Sequence, residues 1–131
     1  LVQDLQYLST DSQGNTYLIK AKTGVLDEEN PDIIYLKNVN ALISFDQNKE
    51  IIIRSDKATY NNDNFDTDFY NNVSLDYDYH HLTCENIQVK FSENYAKIYN
   101  KELEVLNEDR LLICFLYSLK ILTKYPFLFN S

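Results

Sequence analysis

The residues best suited to chemistry in this sequence are runs of oxygen-bearing side chains. Residues 63–68 read DNFDTD, which places carboxylate and amide oxygens close together as a calcium-binding loop does. An EF-hand loop also requires a glycine at its sharp turn and a closing glutamate, and both are missing here. We therefore predict that residues 63–68 form a solvated turn rather than a metal site.

The two histidines of the chain, His80 and His81, are adjacent. Neighbouring side chains of a strand point to opposite faces, so the two imidazoles could share a metal ion only across a turn. We predict a polar hairpin tip at His80-His81.

Motifs of common catalytic sites are missing from the sequence: it has no glycine-rich phosphate loop, no GxSxG elbow and no HExxH helix. Its 20 acidic residues offer many carboxylate pairs, but these fall at turns or at outward positions, where charge usually serves solubility. The sequence therefore predicts a protein that is not an enzyme and that uses no cofactor and no metal.

Length, composition and charge narrow the class of protein further. The chain has 131 residues, 44% of them hydrophobic, which fits one folded domain. Its formal net charge of -8 argues against a nucleic-acid partner, because phosphate binding needs a basic surface. The two cysteines lack CxxC spacing, and Cys84 occupies an apolar position where a small buried side chain is expected.

The clearest structural signal lies in residues 38–60, where two apolar patterns flank a polar turn at residues 46–49. The first pattern alternates apolar and polar residues as a half-buried strand does, with its apolar face at Val39, Ala41, Ile43 and Phe45. The second pattern has spacings of two, three and two, at Ile53, Ser55, Ala58 and Tyr60. A strand keeps one face inward across such a step only by inserting an extra residue, so we predict a β-bulge at Asp56-Lys57.

Both patterns recur along the chain. The two-three-two spacing returns at Ile19, Ala21, Gly24 and Leu26, and again at Leu82, Cys84, Ile87, Val89 and Phe91. The alternating pattern returns after a second Asn-Val step, at Val73, Leu75, Tyr77 and Tyr79. A single strand pair cannot bury its apolar face, whereas stacked pairs can. We therefore predict an all-β fold of repeated strand pairs, with strands at residues 2–9, 17–26, 33–45, 50–60, 65–79, 82–91 and 95–105.

Four segments give these repeats a family resemblance: GNTYLIKAKTGVLD, IIYLKNVNALISF, IIIRSDKATYNNDNFDT and FYNNVSLDY. In order and spacing they resemble the LptC family, the inner-membrane component of the lipopolysaccharide export system of Gram-negative bacteria, over residues 5–105. The resemblance implies an open, twisted antiparallel β jelly roll whose apolar interior binds the acyl chains of lipopolysaccharide. The lipid-binding residues would then be those of the inner face: Ile19, Ala21, Val39, Ala41, Ile43, Phe45, Ile53, Ala58, Val73, Leu75, Tyr77, Ile87 and Val89.

The resemblance also implies partners and a location. The lipid would arrive from the LptB/LptF/LptG transporter at one edge of the sheet and pass to LptA at the other. The domain would lie at the periplasmic face of the inner membrane, held by an N-terminal membrane helix that precedes this sequence. Three alternatives remain: a soluble periplasmic bridge like LptA, a structural β-stack with a closed core, and an adhesive β-repeat domain.

The end of the chain departs from these patterns. Residues 111–131 read LLICFLYSLKILTKYPFLFNS, without any acidic residue, whereas the preceding residues carry all 20. Lysines and a proline interrupt this run, so it is a poor membrane-spanning helix. We expect a β domain at residues 1–110, followed by an atypical tail that reflects a frameshift or truncation, is poorly ordered, or packs across the open end as an apolar strand or helix.

Overall fold

The computed structural model describes residues 1–99, 110–114 and 120–123 of the chain, the last two ranges as backbone only. These residues form nine β-strands and one short 3₁₀ helix. In chain order they are β1 (Val2–Thr10), β2 (Thr16–Leu26), β3 (Ile33–Phe45), β4 (Lys49–Asn61), β5 (Thr67–Tyr77), β6 (His80–Lys90), the 3₁₀ helix (Phe91–Glu93), β7 (Tyr95–Tyr99), β8 (Arg110–Cys114) and β9 (Lys120–Thr123).

Each strand pairs antiparallel with the next one along the chain, so the spatial order of the sheet is the sequence order, β1 to β9. Short polar connections favour this arrangement, because a tight turn returns the chain beside the strand it has just left. The predicted all-β, antiparallel fold of repeated strand pairs is confirmed, and β3 has the predicted bounds. Most of the tail, residues 115–119 and 124–131, lies outside the described residues, as does the end of the predicted strand 95–105.

The tip of the third hairpin differs from the prediction. Tyr77 pairs with His80, so the turn is made by Asp78 and Tyr79, and both histidines belong to β6. Asp78 has a φ of 54°, in the left-handed region that a tight hairpin requires and that aspartate tolerates better than most residues. The side chain of Tyr79 consequently projects into solvent instead of extending the inner face.

A row of positions at which the pairing between neighbouring strands is interrupted crosses the sheet from β1 to β6, and we call these positions breaks. The pairing of β4 with β5 shifts register between Arg54 and Lys57, at the position of the predicted bulge. The extra residue lies in β5 and not in β4 as predicted, because residues 71–73 oppose residues 55 and 56, and β4 pairs with β3 without a shift. The alternating strands break as well, which the sequence patterns did not indicate. Their break residues have positive φ: Asp4 in β1, Asn38 in β3, and Asn71 and Asn72 in β5. Every long strand is therefore bent near its middle.

The bends fold the sheet over on itself. Tyr17 lies beside the β1–β2 turn, whereas Thr67 and Phe91 lie at the opposite end of the strand array, yet Tyr17 contacts both. The two ends of the strands thus meet across an interior that the bent strands enclose. Among the described strands, β1 and β9 occupy the two ends of the order and do not pair with each other, so this part of the roll is open at its edges.

Candidate functional site

The inner face of the roll is a single apolar cluster that runs across the bent strands. The residues predicted for the lipid-binding interior come together here, and twelve of them are at most 6% exposed. These twelve are Ile19, Ala21, Val39, Ala41, Ile43, Phe45, Ile53, Ala58, Val73, Leu75, Ile87 and Val89. The thirteenth, Tyr77, is partly buried at the border, where its ring stacks on Phe45 at a centroid distance of 6.2 Å. Whether this face binds lipid stays a prediction.

Pairing between strands explains why these residues converge. Ile19 pairs with Ala41, Ala41 pairs with Ile53, and Ile53 pairs with Leu75, which gives a row of apolar side chains across four strands. Side chains opposite each other in an antiparallel pair lie on the same face, so each row adds directly to the same surface. The period of two within each strand and the register between strands therefore produce one continuous apolar wall.

Several buried residues were missed by the sequence-based list. They are Tyr17, Ile34, Leu36, Ile51, Tyr60, Phe69, Phe91, Ala96 and Ile98. The alternation would have identified some of them, since Tyr17 precedes Ile19 by two positions and Ile51 precedes Ile53 by two. Tyr60 and Phe91 fall on the two-three-two spacings, and the structure adds their contacts across the interior with Tyr7 and Tyr17.

The two rims of the folded sheet meet along a narrow line that we call the seam. One rim contributes Tyr7, Ser9 and Tyr17, and the other contributes Tyr60, Thr67 and Phe91. The Tyr17 hydroxyl donates a hydrogen bond of 2.6 Å to Oγ1 of Thr67, and the Tyr17 ring stacks on Phe91 at a centroid distance of 5.3 Å. Burial raises the pKa of Tyr17 well above its usual value, so the phenol remains a protonated donor.

A second pair of contacts crosses the seam beside the first. The rings of Tyr7 and Tyr60 lie 4.9 Å apart, a distance typical of favourable aromatic pairs. Burial raises the pKa of Tyr60, and a side-chain hydrogen bond with Ser9 opposes part of that rise. Hydroxyl groups therefore line the seam, whereas the wall behind it is almost entirely apolar.

The oxygen-rich segment at residues 63–68 forms a turn held by its own side chains. Oδ1 of Asn61 accepts hydrogen bonds from the backbone N–H groups of Asp63 and Asn64. The Asp66 carboxylate contacts Nζ of Lys90 at 2.8 Å, and this hydrogen bond raises the pKa of Lys90. Within the described part of the chain, no three acidic, histidine or cysteine side chains are grouped as metal ligands would be.

His81 belongs to a polar cluster, and Cys84 belongs to the buried interior. Nδ1 of His81 lies 2.5 Å from the Asp76 carboxylate, whose other oxygen accepts a 3.2 Å hydrogen bond from Arg54. All three side chains are partly or largely exposed, which places this cluster on the outer face. Cys84 is buried and unpaired, as its apolar position predicted, and burial raises its thiol pKa to about 12. A thiol with this pKa stays protonated near neutrality and is a weak nucleophile.

Comparison with known proteins agrees with this architecture. Residues 1–98 match the family model described as "Lipopolysaccharide-assembly, LptC-related", which is well over half of the chain. A comparison with curated proteins gives no match. Among the described residues, no helix has the length and apolar character needed to cross a bilayer. The matched residues include the whole bent sheet from β1 to β6 and nearly all of β7. The chain therefore belongs to the LptC-related family of lipopolysaccharide-assembly proteins.

Proposed function

We propose that this domain carries lipopolysaccharide at the periplasmic face of the inner membrane of a Gram-negative bacterium, with the acyl chains held in its apolar interior. The observation that carries the proposal is the continuous apolar wall, which joins twelve buried residues across the bent strands β2 to β6. Acyl chains gain free energy by leaving water in proportion to the apolar area buried, and that gain does not depend on the sign of the protein's charge. The acidic exterior is therefore compatible with an anionic lipid.

The edges of the sheet support a place in a relay. β1 is the edge strand at one end of the sheet, and Leu8 in this strand is 65% exposed. An unpaired strand edge invites pairing with another chain, and proteins that work by strand addition retain such edges. We propose that the LptB/LptF/LptG transporter docks at one edge and LptA at the other, so that the apolar walls of successive domains join. An N-terminal membrane helix before Leu1 would hold the domain at the membrane.

A structural β-stack with a closed core is the second candidate, and the tight packing of the interior favours it. Ile43, Ile53, Ala58, Phe69 and Ile87 are fully buried, which leaves no room for an acyl chain beside them. A carrier with this packing must open to load, whereas a purely structural domain must stay shut. The family match favours the carrier.

Photo-crosslinking distinguishes the two candidates. A photoreactive aliphatic residue at Ile43 or Leu75 faces the interior, and the same residue at Asn40 or Ser74 lies on the same strands but faces outward. With purified lipopolysaccharide, we expect labelling at Ile43 and Leu75 and little at the two controls. Equal labelling at all four positions would contradict an interior site, and no labelling at any of them would support the closed structural stack.

A further inference from the structure

We propose that the roll opens at the seam to admit lipid, and that the hydroxyl groups of the seam contact the polar part of the lipid when it is open. This inference rests on the proposed carrier function and specifies how the interior is loaded. The interior must both hold acyl chains and admit them. The apolar wall is continuous enough to hold acyl chains, but it is closed by side chains that are almost fully buried.

The seam is the place where opening breaks the fewest interactions. Neighbouring strands within the wall are joined by backbone pairing along most of their length, as β3 and β4 are from Ile33 to Phe45. Across the seam, the contacts recorded for the described residues come from side chains. Separating the rims therefore leaves the backbone ladders intact, whereas an opening between two paired strands must break a ladder.

The polarity of the seam also suits an opening. When Tyr17 and Thr67 separate, water can hydrate both hydroxyls and replace the hydrogen bond that they lose. Oγ1 of Thr67 keeps a second partner in either state, because it donates a 3.2 Å hydrogen bond to the carbonyl oxygen of Phe65. Exposing the apolar wall itself would receive no such compensation. The line of hydroxyls at the border of the apolar wall is thus a favourable place for the two rims to part.

The chemistry of lipopolysaccharide also favours the seam as the place where its polar head lies. Lipopolysaccharide joins acyl chains to a charged, sugar-bearing head, and burying such a head in an apolar interior is costly. The head must therefore project from the roll while the chains lie inside it. The seam runs along the two strand-end rims, and its tyrosine, serine and threonine hydroxyls can donate and accept hydrogen bonds with sugar hydroxyl and phosphate groups.

A covalent lock tests whether the rims must separate. Cysteines replacing Ser9 and Tyr60 lie on opposite rims, and a short, cleavable bis-maleimide would join them in a background of Cys84→Ala and Cys114→Ala. With the photoreactive residue at Ile43, we expect the lock to reduce labelling by lipopolysaccharide at least tenfold and linker cleavage to restore it.

A matched control locks two positions on a single rim. Thr10 and Thr16 pair with each other at the β1–β2 turn, so cysteines there can be joined without bridging the seam. This control should be labelled as strongly as the unlocked protein. Full labelling of the protein locked across the seam would overturn the seam proposal alone. Absence of labelling in the unlocked protein would overturn the proposed function and the seam proposal together.

A single-atom change provides a second test that preserves the shape of the seam. Tyr17→Phe removes the hydroxyl that bonds to Thr67, and loss of one net hydrogen bond corresponds to about a five-fold change in the opening equilibrium. We expect Ile43 labelling to become about five-fold faster in Tyr17→Phe. The control is Tyr35→Phe, which removes an exposed hydroxyl bonded to Asp27 on the outer face and should leave the rate unchanged. An unchanged or slower rate in Tyr17→Phe would overturn the proposal.

Discussion

Asn38 lies in the left-handed region of backbone space in the middle of a long strand, with a φ of 55°. Most L-residues avoid this region because their Cβ approaches the backbone too closely, whereas glycine accepts it and asparagine tolerates it. The order of stability among variants at Asn38 should therefore be opposite to the order usual in strands. Asn40 is the matched control, because it is also exposed, lies two residues along β3, and is not among the residues with positive φ.

The magnitudes follow from this backbone geometry. Asn38→Ala should lower the free energy of unfolding by about 1 kcal/mol, and Asn38→Val by about 1–2 kcal/mol, because a β-branched side chain crowds the backbone further. Asn38→Gly should remain within about 0.5 kcal/mol of the parent protein, since the relief of strain offsets glycine's greater loss of chain entropy. At Asn40 the order should reverse, with valine the most stable and glycine the least.

Urea denaturation measures these differences. For a domain of this size an m-value of about 2 kcal/mol/M converts 1 kcal/mol into a midpoint shift of about 0.5 M. The ranking of the variants at Asn38 and at Asn40 follows directly from their urea midpoints. If valine at Asn38 proved as stable as glycine there, the left-handed bend in β3 would be wrong, and with it the bending of the strands that encloses the interior.

Two further predictions concern the buried interior. Ile43→Ala should lower the free energy of unfolding by about 3 kcal/mol, because it leaves a cavity in the interior. Leu42→Ala, on the opposite face of β3, should lower it by less than about 1 kcal/mol. Thermal or urea unfolding measures both losses, and equal losses would contradict the assigned faces. Because burial raises the pKa of Cys84 to about 12, its thiol stays protonated in the folded state while the unfolded thiol ionises near pH 9. Stability should then fall by about 1 kcal/mol more between pH 8 and pH 10 in the parent protein than in Cys84→Ala, and identical pH profiles in urea unfolding would show that the thiol is not buried.

Much of the fold could be read from alternation alone. The strand at residues 33–45 and the inner face from Ile19 to Val89 follow from a period of two, because neighbouring side chains of a strand point to opposite faces. The uneven spacing in β4 correctly located the irregularity at Asp56-Lys57, but the extra residue lies opposite, in β5, because a spacing within one strand does not show which partner carries the insertion. The hairpin tip was misplaced because polarity alone does not distinguish His80-His81 from Asp78-Tyr79. The ability of Asp78 to adopt positive φ decides between them.

Most inward-facing residues, the neighbouring strands and the irregularity at Asp56-Lys57 could be predicted from local patterns, because each depends on residues close together in the chain. The bends at Asn38 and Asn72 and the meeting of the two rims are visible only in the folded protein. Tyr17 and Thr67 are 50 residues apart, and their contact depends on twist and bending accumulated over the strands between them. No local pattern encodes that sum, so the seam appears only once the sheet has folded onto itself.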